Sequence, residues 1–424
     1  MLQTLKNAWK VNDIRRKMIF TIIVVVLYRL GCAIPVPYVN AAALSADIKS
    51  AGESNLLGYF NLLSGDSFSK GTLFALSISP YITASIVMQL LTIAIPALER
   101  MSKDGPEGQK KITQITRYVT VALALITAFG YYLTIKRQGD LVEGAGVFEA
   151  IVIISAYCAG AALIMWLGEK INDHGIGNGI SIILFANIVS RGPDLFLYWI
   201  EFFKAGQYVS FAAVLIIMLA IITFIVWFTD AERRLGVQYA KRQVGRKMYG
   251  GMNTHLPIKL NMSGVMPIIF AQSIVALPAT IGMIVGADTT QGFFKYFSMT
   301  SYVGAFLNFA LIIAFAYFYL AISFNTVEVA NNLKKNGGTI IGIRPGKPTA
   351  DYIKKVVNRV TLIGALFLGF VSIFPQVANW LSSNRLGGLV FGGSSLLIII
   401  GVALETVRDL ESQVSMRNYK GFLE

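Results

Sequence analysis

Residues Tyr59–Leu91 read YFNLLSGDSFSKGTLFALSISPYITASIVMQLL. The first part of this stretch is short and carries Ser, Gly, Asp and Lys, whereas residues 74–95 are long and apolar enough to cross a bilayer as a helix. A short, polar segment is tolerated at membrane depth only where protein surrounds it or where it lines a water-filled cavity. Ile78 and Ile82 are four residues apart and would share one helix face. We therefore predict a re-entrant segment beside an apolar constriction.

The composition is typical of a membrane protein. Of the 424 residues, 55% are hydrophobic and 14% are charged, whereas a soluble domain carries about 25% charged residues. Cys32 and Cys158 each lie inside an apolar run, so the sequence supports neither a disulfide framework nor a thiolate metal site. Residues 1–17 are amphipathic and basic, which predicts a cytosolic N-terminal segment rather than a secretory signal.

Hydropathy predicts ten membrane-spanning helices, because a bilayer core of about 30 Å requires about 20 apolar residues in helical form. The predicted spans are residues 18–36, 74–95, 116–135, 148–167, 179–197, 211–229, 264–285, 303–323, 356–375 and 388–404. Ten spans with a long connection after the sixth fit a five-plus-five inverted repeat. This symmetry is a hypothesis from hydropathy, since the sequence shows no internal repeat by eye.

Basic residues are distributed unequally between the two sides of the membrane. Of the 37 Lys and Arg residues, 28 fall on the side that carries both termini, eight fall on the other side, and Arg29 lies within the first span. Cytosolic loops carry the excess of Lys and Arg, so we predict that both termini are cytosolic. This placement also explains the net charge of +14 without a role in binding DNA.

Two predicted cytosolic connections, residues 230–263 and 324–355, are long and mix basic residues with Gly, Pro and aromatic residues. Basic loops can simply anchor a protein to anionic lipid headgroups. The length of these loops and the Gly-Pro turns within residues 342–348 favour a docking surface instead. Its partner would be a protein or an RNA-rich particle, since basic residues would steer either one.

Two glycine-containing segments invite a phosphate-loop interpretation, which the spacing does not support. In GIRPGKPT (Gly342–Thr349) three residues separate the glycines and Pro348 follows Lys347, whereas the motif requires four residues and then Ser or Thr after Lys. GIGNG (Gly175–Gly179) is a weak match, and we expect it to let the fifth helix start close to its neighbours.

Ionisable residues are scarce inside the predicted spans. Arg29 is either a functional group or a structural side chain that reaches toward the interface or caps backbone carbonyls. Ion-coupled carriers usually bring Asp, Glu or His to mid-membrane, so the pattern disfavours a proton or sodium symporter. His174 and His255 lie in cytosolic connections without a partner at ligand spacing, and we expect surface or turn positions for both.

Uncharged polar residues recur on two spans, with Thr83, Ser85 and Gln89 on the second and Gln272 and Ser273 on the seventh. Helix–helix hydrogen bonds in lipid are worth about 0.6 kcal/mol on average. Such bonds hold helices together and still let them part, so these residues fit either ordinary packing or a separable seam.

Six blocks of the sequence resemble the SecY family, whose members are central subunits of bacterial protein-conducting channels. The blocks are RLGCAIPVP (Arg29–Pro37), FNLLSGDSFSKGTLFALSISPYITASIVMQLL (Phe60–Leu91), GIGNGISIILFANIV (Gly175–Val189), YAKRQVGRKMY (Tyr239–Tyr249), THLPIKLNMSGVMPIIFAQSI (Thr254–Ile274) and NNLKKNGGTIIGIRPGKPT (Asn331–Thr349). The resemblance covers nearly the whole chain. It implies an all-α integral membrane protein with ten transmembrane helices in two pseudo-symmetric inverted halves, which form a clamshell around a central pore with a re-entrant plug helix.

The resemblance also divides the chain. It implies an N-terminal half over residues 18–200 with helices one to five and the plug at about residues 61–71. A C-terminal half over residues 201–405 carries helices six to ten and both long cytosolic loops. Residues 406–424 form a cytosolic tail.

The resemblance assigns roles to individual positions. The hydrophobic pore ring falls on Ile78, Ile82, Leu184, Ile188, Ile269 and Ile398. The plug includes Asn61, Leu62, Leu63, Ser64, Gly65, Asp66, Ser67, Phe68 and Ser69. The lateral gate, between the second and third helices and the seventh and eighth, includes Thr83, Gln89, Gln272 and Ser273. The docking surface for the ribosome and the SecA motor ATPase includes Arg242, Arg246, Lys247, Arg344 and Lys347.

The implied function is that of a passive channel in the bacterial cytoplasmic (inner) membrane. It would move unfolded polypeptides that bear signal sequences and release hydrophobic segments into membrane lipid, driven by SecA or the ribosome. The resemblance implies SecE and SecG as further partners, and the sequence indicates neither a cofactor nor a metal. The alternative from the residues is a secondary transporter for a small solute, which would require polar groups at mid-depth. An integral enzyme ranks third, since paired carboxylates, a nucleophile triad and a metal cluster are missing from the sequence.

Overall fold

The computed structural model describes residues 6, 8–50, 61, 64–141, 146–193, 200, 203–204, 208–239, 242–244, 247–249, 253–285, 296, 301–381 and 393–420. Leu62, Leu63 and Arg246, which the sequence analysis singles out, lie outside the described residues.

The described chain is mostly helical, and each of the ten predicted spans coincides with a helix. In chain order the helices are α1 (Asn12–Gly31), α2 (Ala41–Ser50), α3 (Ser79–Ala94), α4 (Pro96–Lys103), α5 (Gly105–Gln138), α6 (Val147–His174), α7 (Gly179–Ser190), α8 (Tyr208–Asp230), α9 (Met266–Val285), α10 (Tyr302–Ser323), α11 (Thr326–Lys335), α12 (Lys347–Leu381) and α13 (Gly393–Lys420). The short helices α2, α4 and α11 lie between predicted spans. Several helices, α13 among them, continue past their apolar stretch into polar sequence.

Length and hydropathy identify fewer membrane-crossing helices than the ten predicted. Among the described residues, the helical stretches that are long and apolar enough are Gly105–Gln138, Val147–His174, Tyr302–Lys335 and Lys347–Phe374. The pair α3 and α4 is bent by 101° and adds a fifth if it forms one span. Shorter apolar helices are Gly179–Ser190, Leu215–Asp230 and Met266–Gly282. The count of ten spans therefore stays a prediction.

The segment Gly175–Gly179 brings α7 close to α6, as the sequence analysis expected. A Cβ atom at Gly179 would lie 2.0 Å from the backbone oxygen of Gly168 in α6, so only glycine fits at this contact. Asn178 caps α7, because its side-chain oxygen accepts hydrogen bonds from the backbone N–H groups of Ile180 at 3.0 Å and Ser181 at 3.4 Å. The prediction for this segment is confirmed.

The two long connections contain β-strands, which corrects the all-α prediction. The first connection contains β1 (Glu232–Tyr239), β2 (Arg242–Val244), β3 (Lys247–Tyr249) and β4 (Asn253–Lys259), and the second contains β5 (Gly338–Ile340). The strands β4, β1 and β5 form one antiparallel sheet in that order, and β2 pairs with β3. The sheet therefore joins the two connections into one unit, which we call the loop sheet.

The segment before α7 also contacts α13 and α1. The backbone N–H of Gly177 donates to Oδ2 of Asp409 at 3.0 Å, and the backbone N–H of Ile176 donates to Oγ1 of Thr21 at 3.1 Å. A small apolar cluster at the same place contains Ala8, Ile14, Ile176 and Leu410. These contacts link the first and last helices of the described chain through the turn that precedes α7.

The α6–α7 contact leads to a testable prediction about stability. We expect Gly179→Ala to destabilise the protein by about 1–3 kcal/mol, because the added methyl group must displace backbone atoms of α6. The measurement is the thermal unfolding midpoint in detergent. Gly192→Ala is the matched control, since a Cβ atom there would meet nothing within 4 Å. Equal midpoints for the two variants would contradict the prediction.

Candidate functional site

The six residues of the predicted pore ring are all buried, with between 1% and 3% of each exposed. All six belong to one hydrophobic cluster. They come from four helices far apart in the sequence: Ile82 from α3, Leu184 and Ile188 from α7, Ile269 from α9 and Ile398 from α13, with Ile78 at the N-cap of α3. The fold thus brings together the residues that the resemblance singled out. Their arrangement around a pore axis stays a prediction.

Ile78 and Ile82 share one face, as their spacing predicts. The backbone N–H of Ile82 donates to the carbonyl oxygen of Ile78 at 3.1 Å, which closes the first turn of α3. Pro80 lies in this turn, where its missing N–H leaves no hydrogen bond unmade. The residue before the turn, Ser77, has a φ of +53°, so the chain changes direction sharply just before the ring position.

Behind the ring lies a buried polar pair that the sequence analysis did not single out. The side-chain amide of Asn187 in α7 donates to Oγ of Ser77 at 3.1 Å, and both side chains are buried. Each partner directly precedes a ring residue, Ile188 and Ile78 respectively. This pair fixes α7 against the start of α3 at the level of the ring. No local signal marks it, because its partners are 110 residues apart.

In the described part of the predicted plug segment, Asn61 and Ser64 are helical, whereas the chain after Ser64 is not, so the predicted plug helix is corrected only for the residues after Ser64. Residues 65–71 form turns. The hydroxyl group of Ser64 donates to the carbonyl oxygen of Asn61 at 3.1 Å and accepts from the backbone N–H of Phe68 at 2.9 Å. The side-chain oxygen of Asn61 accepts from the backbone N–H of Ser69 at 3.0 Å. Such side-chain bonds to the backbone compete with a helix and favour turns.

Tyrosine side chains of two helices fasten the second part of the plug segment. Tyr131 of α5 stacks on Phe68 with ring centroids 4.3 Å apart, and its hydroxyl group donates to the carbonyl oxygen of Phe68. The hydroxyl group of Tyr157 in α6 donates to the carbonyl oxygen of Gly71 at 3.4 Å. The segment is therefore held against α5 and α6 by neutral, buried hydrogen bonds.

Charged side chains surround the first part of the plug segment. Oδ1 of Asp66 lies 3.5 Å from Nε of Arg191, which directly follows α7, and accepts a hydrogen bond from the side-chain amide of Asn61 at 2.9 Å. A Cβ atom at Gly65 would lie 3.1 Å from Nη1 of Arg29. Arg29, the one charge inside the first predicted span, therefore borders the plug segment. The sequence analysis left its role open and did not foresee this contact.

The helices of the predicted lateral gate pack against each other. Both α3 and α5 contact α9. Gln272 on α9 is buried and Gln89 on α3 is half-buried, as is Thr83. Ser273 donates its hydroxyl hydrogen to the carbonyl oxygen of Ile269 at 2.8 Å, so this bond stays within α9 and does not bridge the seam.

A small cavity of about 30 Å³ lies where this seam meets the plug segment. Its lining residues come from the plug segment, the turns between it and α3, and the helices α3, α5 and α9, and they are Phe68, Ala75, Leu76, Ser79, Pro80, Thr127, Tyr131 and Thr280. A cavity of this volume holds about one or two water molecules. The cavity is therefore far too small to hold a polypeptide segment.

Two of the predicted docking residues, Arg344 and Lys347, are exposed. Arg344 lies between β5 and α12 and Lys347 begins α12, next to a loop where Gly342 and Gly346 have φ values of +83° and +99°. Oγ1 of Thr349 donates to the carbonyl oxygen of Arg344 at 2.8 Å and closes the loop. The conformation required at both positions is one that glycine adopts without strain.

The remaining described docking residues lie on the hairpin of the first connection. Arg242 pairs with Tyr249 and Val244 pairs with Lys247 in this two-stranded sheet. Because β1 pairs with β5, the connection that carries this hairpin is joined to the connection that carries Arg344.

The base of the loop sheet carries charge of both signs. Burial, and then the nearby charge of Arg408, lowers the pKa of Lys259 at the end of β4. Nη2 of Arg408 donates to the carbonyl oxygen of Thr229 at 2.8 Å and to Oδ1 of Asp230 at 2.5 Å. These contacts tie α13 to the end of α8, directly before β1.

Both histidines are exposed, as predicted. His174 lies in the last turn of α6 with its ring 5.9 Å from that of Phe20, and His255 pairs with Gly236 in the loop sheet. Within the part of the chain that the structure describes, no three His, Cys, Asp or Glu side chains lie together as a metal site would require.

Comparison with known proteins relates this architecture to one family. The SecY family model matches residues 72–407. The protein translocase subunit SecY of Streptomyces galbus is 41% identical over 439 aligned residues, which cover 100% of each chain.

Solved structures share the fold at lower identity. The structure of a protein-conducting channel matches with a TM-score of 0.70 and 19% identity over 94% of this chain and 92% of that chain. Sec61 in the canine ribosome–channel complex from the endoplasmic reticulum matches with a TM-score of 0.66 and 18% identity, again over 94% and 92%. Since the family model covers most of the chain and the Streptomyces relative aligns along all of it, this chain belongs to the SecY family.

Proposed function

We propose that this chain is a passive protein-conducting channel of the bacterial cytoplasmic membrane. It moves unfolded polypeptides that bear signal sequences across the membrane and releases hydrophobic segments sideways into lipid. The observation that carries the proposal is the shared burial of six aliphatic ring residues from four helices in one cluster. Family membership favours this function over a small-solute transporter or an enzyme.

An aliphatic ring suits a channel that must admit any polypeptide sequence. Its wall must not bind strongly to a passing chain, and contact between apolar side chains is non-directional. When the ring is closed it excludes water, and ions then find no replacement for their hydration shells. A charged lining would instead select ions. The plug segment covers the ring region in the closed state.

Sideways release follows from the cost of keeping apolar side chains out of lipid. Each Leu, Ile, Phe or Val near the centre of a helix favours the membrane by about 0.3–0.6 kcal/mol. Summed over a span, this preference sorts membrane anchors from secreted segments without a catalytic group. The seam between α3 and α5 on one side and α9 on the other is the proposed exit, and the small size of its cavity is consistent with a closed gate.

The channel itself supplies no energy, so we propose that an external partner pushes the polypeptide. The docking surface for SecA or the ribosome comprises the loop sheet and the segments next to it, with Arg242, Lys247, Arg344 and Lys347, and with Arg246, which lies outside the described residues. The solved Sec61 relative is part of a ribosome–channel complex, which supports this assignment. SecE would clamp the two five-helix halves and SecG would lie at the periphery, with ten spans and both termini in the cytosol.

The ring leads to a prediction about leakage. We expect Ile269→Asn and Ile398→Asn each to raise ion leak through reconstituted channels roughly tenfold or more, because a buried amide attracts water into the constriction. Export of a reporter with a defective signal sequence should rise as well. Ile269→Val is the matched control, since it keeps the site apolar. Unchanged leak and unchanged reporter export in both Asn variants would remove these residues from the ring.

The docking surface leads to a second prediction. We expect Arg344→Glu to slow SecA-driven export roughly tenfold while the protein remains folded, because a reversed charge opposes binding of a complementary surface. The measurement is translocation of a secretory precursor into vesicles at a fixed SecA concentration. Lys136→Glu, an exposed charge reversal at the end of α5 on the predicted opposite side of the membrane, is the control. Equal slowing by both variants would show that Arg344 has no specific role.

The seam leads to a third prediction. We expect a crosslink between cysteines at positions 89 and 272, joining α3 to α9, to block translocation almost completely. The background would carry Cys32→Ser and Cys158→Ser, and a bifunctional thiol reagent would span the seam. Each single-cysteine variant treated with the reagent serves as a control. Normal passage through a fully crosslinked sample would place the gate elsewhere.

A further inference from the structure

Two different kinds of contact hold the plug segment. Neutral hydrogen bonds from the buried hydroxyl groups of Tyr131 and Tyr157 hold its second part. Its first part lies against the C-terminal end of α7, where the contacts involve charge. The charged contacts of the first part can therefore depend on the salt concentration, whereas the tyrosine hydrogen bonds of the second part are shielded from solvent.

The charged contact joins Asp66 of the segment to Arg191. Nε of Arg191 lies 3.5 Å from Oδ1 of Asp66, and the side chains are 19% and 22% exposed respectively. The same carboxylate oxygen accepts from the side-chain amide of Asn61 at 2.9 Å. The carboxylate of Asp66 thus connects the beginning of the plug segment to the end of α7.

The backbone around Asp66 suits this placement. Asp66 and Gly65 have φ values of +67° and +60°, a conformation that Gly adopts freely and Asp or Asn tolerates better than other residues. A Cβ atom at Gly65 would lie 2.9 Å from the backbone oxygen of Asn187 and 2.9 Å from Oγ of Ser190. The turn therefore sits directly on the last turn of α7, and Arg191 at that end is favoured by the helix dipole.

The helix that carries Arg191 also carries two residues of the proposed pore ring. Leu184 and Ile188 lie in α7 before Arg191, and Asn187 between them bonds to Ser77 beside Ile78. Movement of a polypeptide through the ring must displace the plug segment from the end of this helix. The Asp66–Arg191 contact is then broken or exchanged for contact with water.

We propose that Asp66 and Arg191 form an electrostatic latch, in which Arg191 is a positioning residue that holds the plug segment closed. The latch sets how strongly a signal sequence must interact before the channel opens. This inference rests on the proposed channel function. Because the two side chains are partly exposed, their ion pair stabilises the closed state only modestly. A signal sequence can therefore overcome this stabilisation and open the channel.

The test is a double-mutant cycle on the full-length chain, reconstituted in vesicles with the subunits that copurify with it. Asp66→Asn removes the charge and keeps a residue that tolerates positive φ, and Arg191→Gln removes the partner charge. We expect each single variant to raise resting ion leak about two- to fivefold. We expect the double variant to leak no more than either single variant, because both changes remove one interaction. Export of a reporter with a defective signal sequence should follow the same pattern.

Salt provides a readout that a purely structural role would not change. Raising the salt concentration from about 0.05 M to about 0.5 M screens a partly exposed pair, so the leak of the unmodified channel should rise. The leak of the double variant should change much less. Lys70→Gln is the matched control, since Lys70 is an exposed charge on the same segment, and it should behave like the unmodified channel.

Additive effects of the two single changes, or leak at the unmodified level in both, would overturn the latch. A deletion of residues 61–69 separates this failure from failure of the proposed function. If the deletion leaks and the charge variants do not, the segment is a plug without this latch. If the deletion does not leak, the segment is not a plug, and the latch falls with it.

Discussion

Contact among α3, α7, α9 and α13 around one apolar cluster is the constraint on which the other features depend. Each helix contributes aliphatic side chains, and such contacts have no preferred direction. A cluster of this kind can part and close again, but it cannot by itself fix the helices in place. That task falls to contacts outside the ring, such as the close approach of Gly179 to α6 and the Asn187–Ser77 hydrogen bond. The bond from Gly177 to Asp409 links the start of α7 to α13, which carries Ile398.

The plug segment shows how a polar stretch is tolerated beside this apolar cluster. The side chains of Asn61, Ser64 and Ser69 bond to its own backbone, and tyrosines of α5 and α6 donate to its carbonyl oxygens. Buried polar groups left without partners would be costly in these surroundings. The bonds are local or made to neighbouring helices, so the segment can keep its internal turns when its outer contacts change. Among the contacts that the segment makes with its neighbours, the ion pair between Asp66 and Arg191 is only partly buried.

The loop sheet stands apart from the apolar cluster and is connected to it through helices. Pairing of β1 with β4 and β5 makes one surface from two connections that are distant in the sequence. Arg408 ties the base of this sheet to α13 through Thr229 and Asp230. A partner that docks on the sheet would therefore contact a rigid unit attached to the helices, rather than two independent loops.

The sequence by itself determined where most helices lie, and it singled out six residues that the fold buries in one apolar cluster. Hydropathy is a sum over about 20 neighbouring residues, so it located helices at all ten predicted spans, and the family blocks identified Ile78, Ile269 and their ring partners. Only the tertiary structure decided the loop sheet, the turns of the plug segment and the pairs Asp66–Arg191 and Asn187–Ser77. Strand β1 carries several charged residues and pairs with β5 of the other connection. Ser77 accepts a hydrogen bond from the side-chain amide of Asn187, which is 110 residues away in the sequence. Hydropathy is a local property of the chain, whereas these polar partnerships depend on which helix ends the fold brings together.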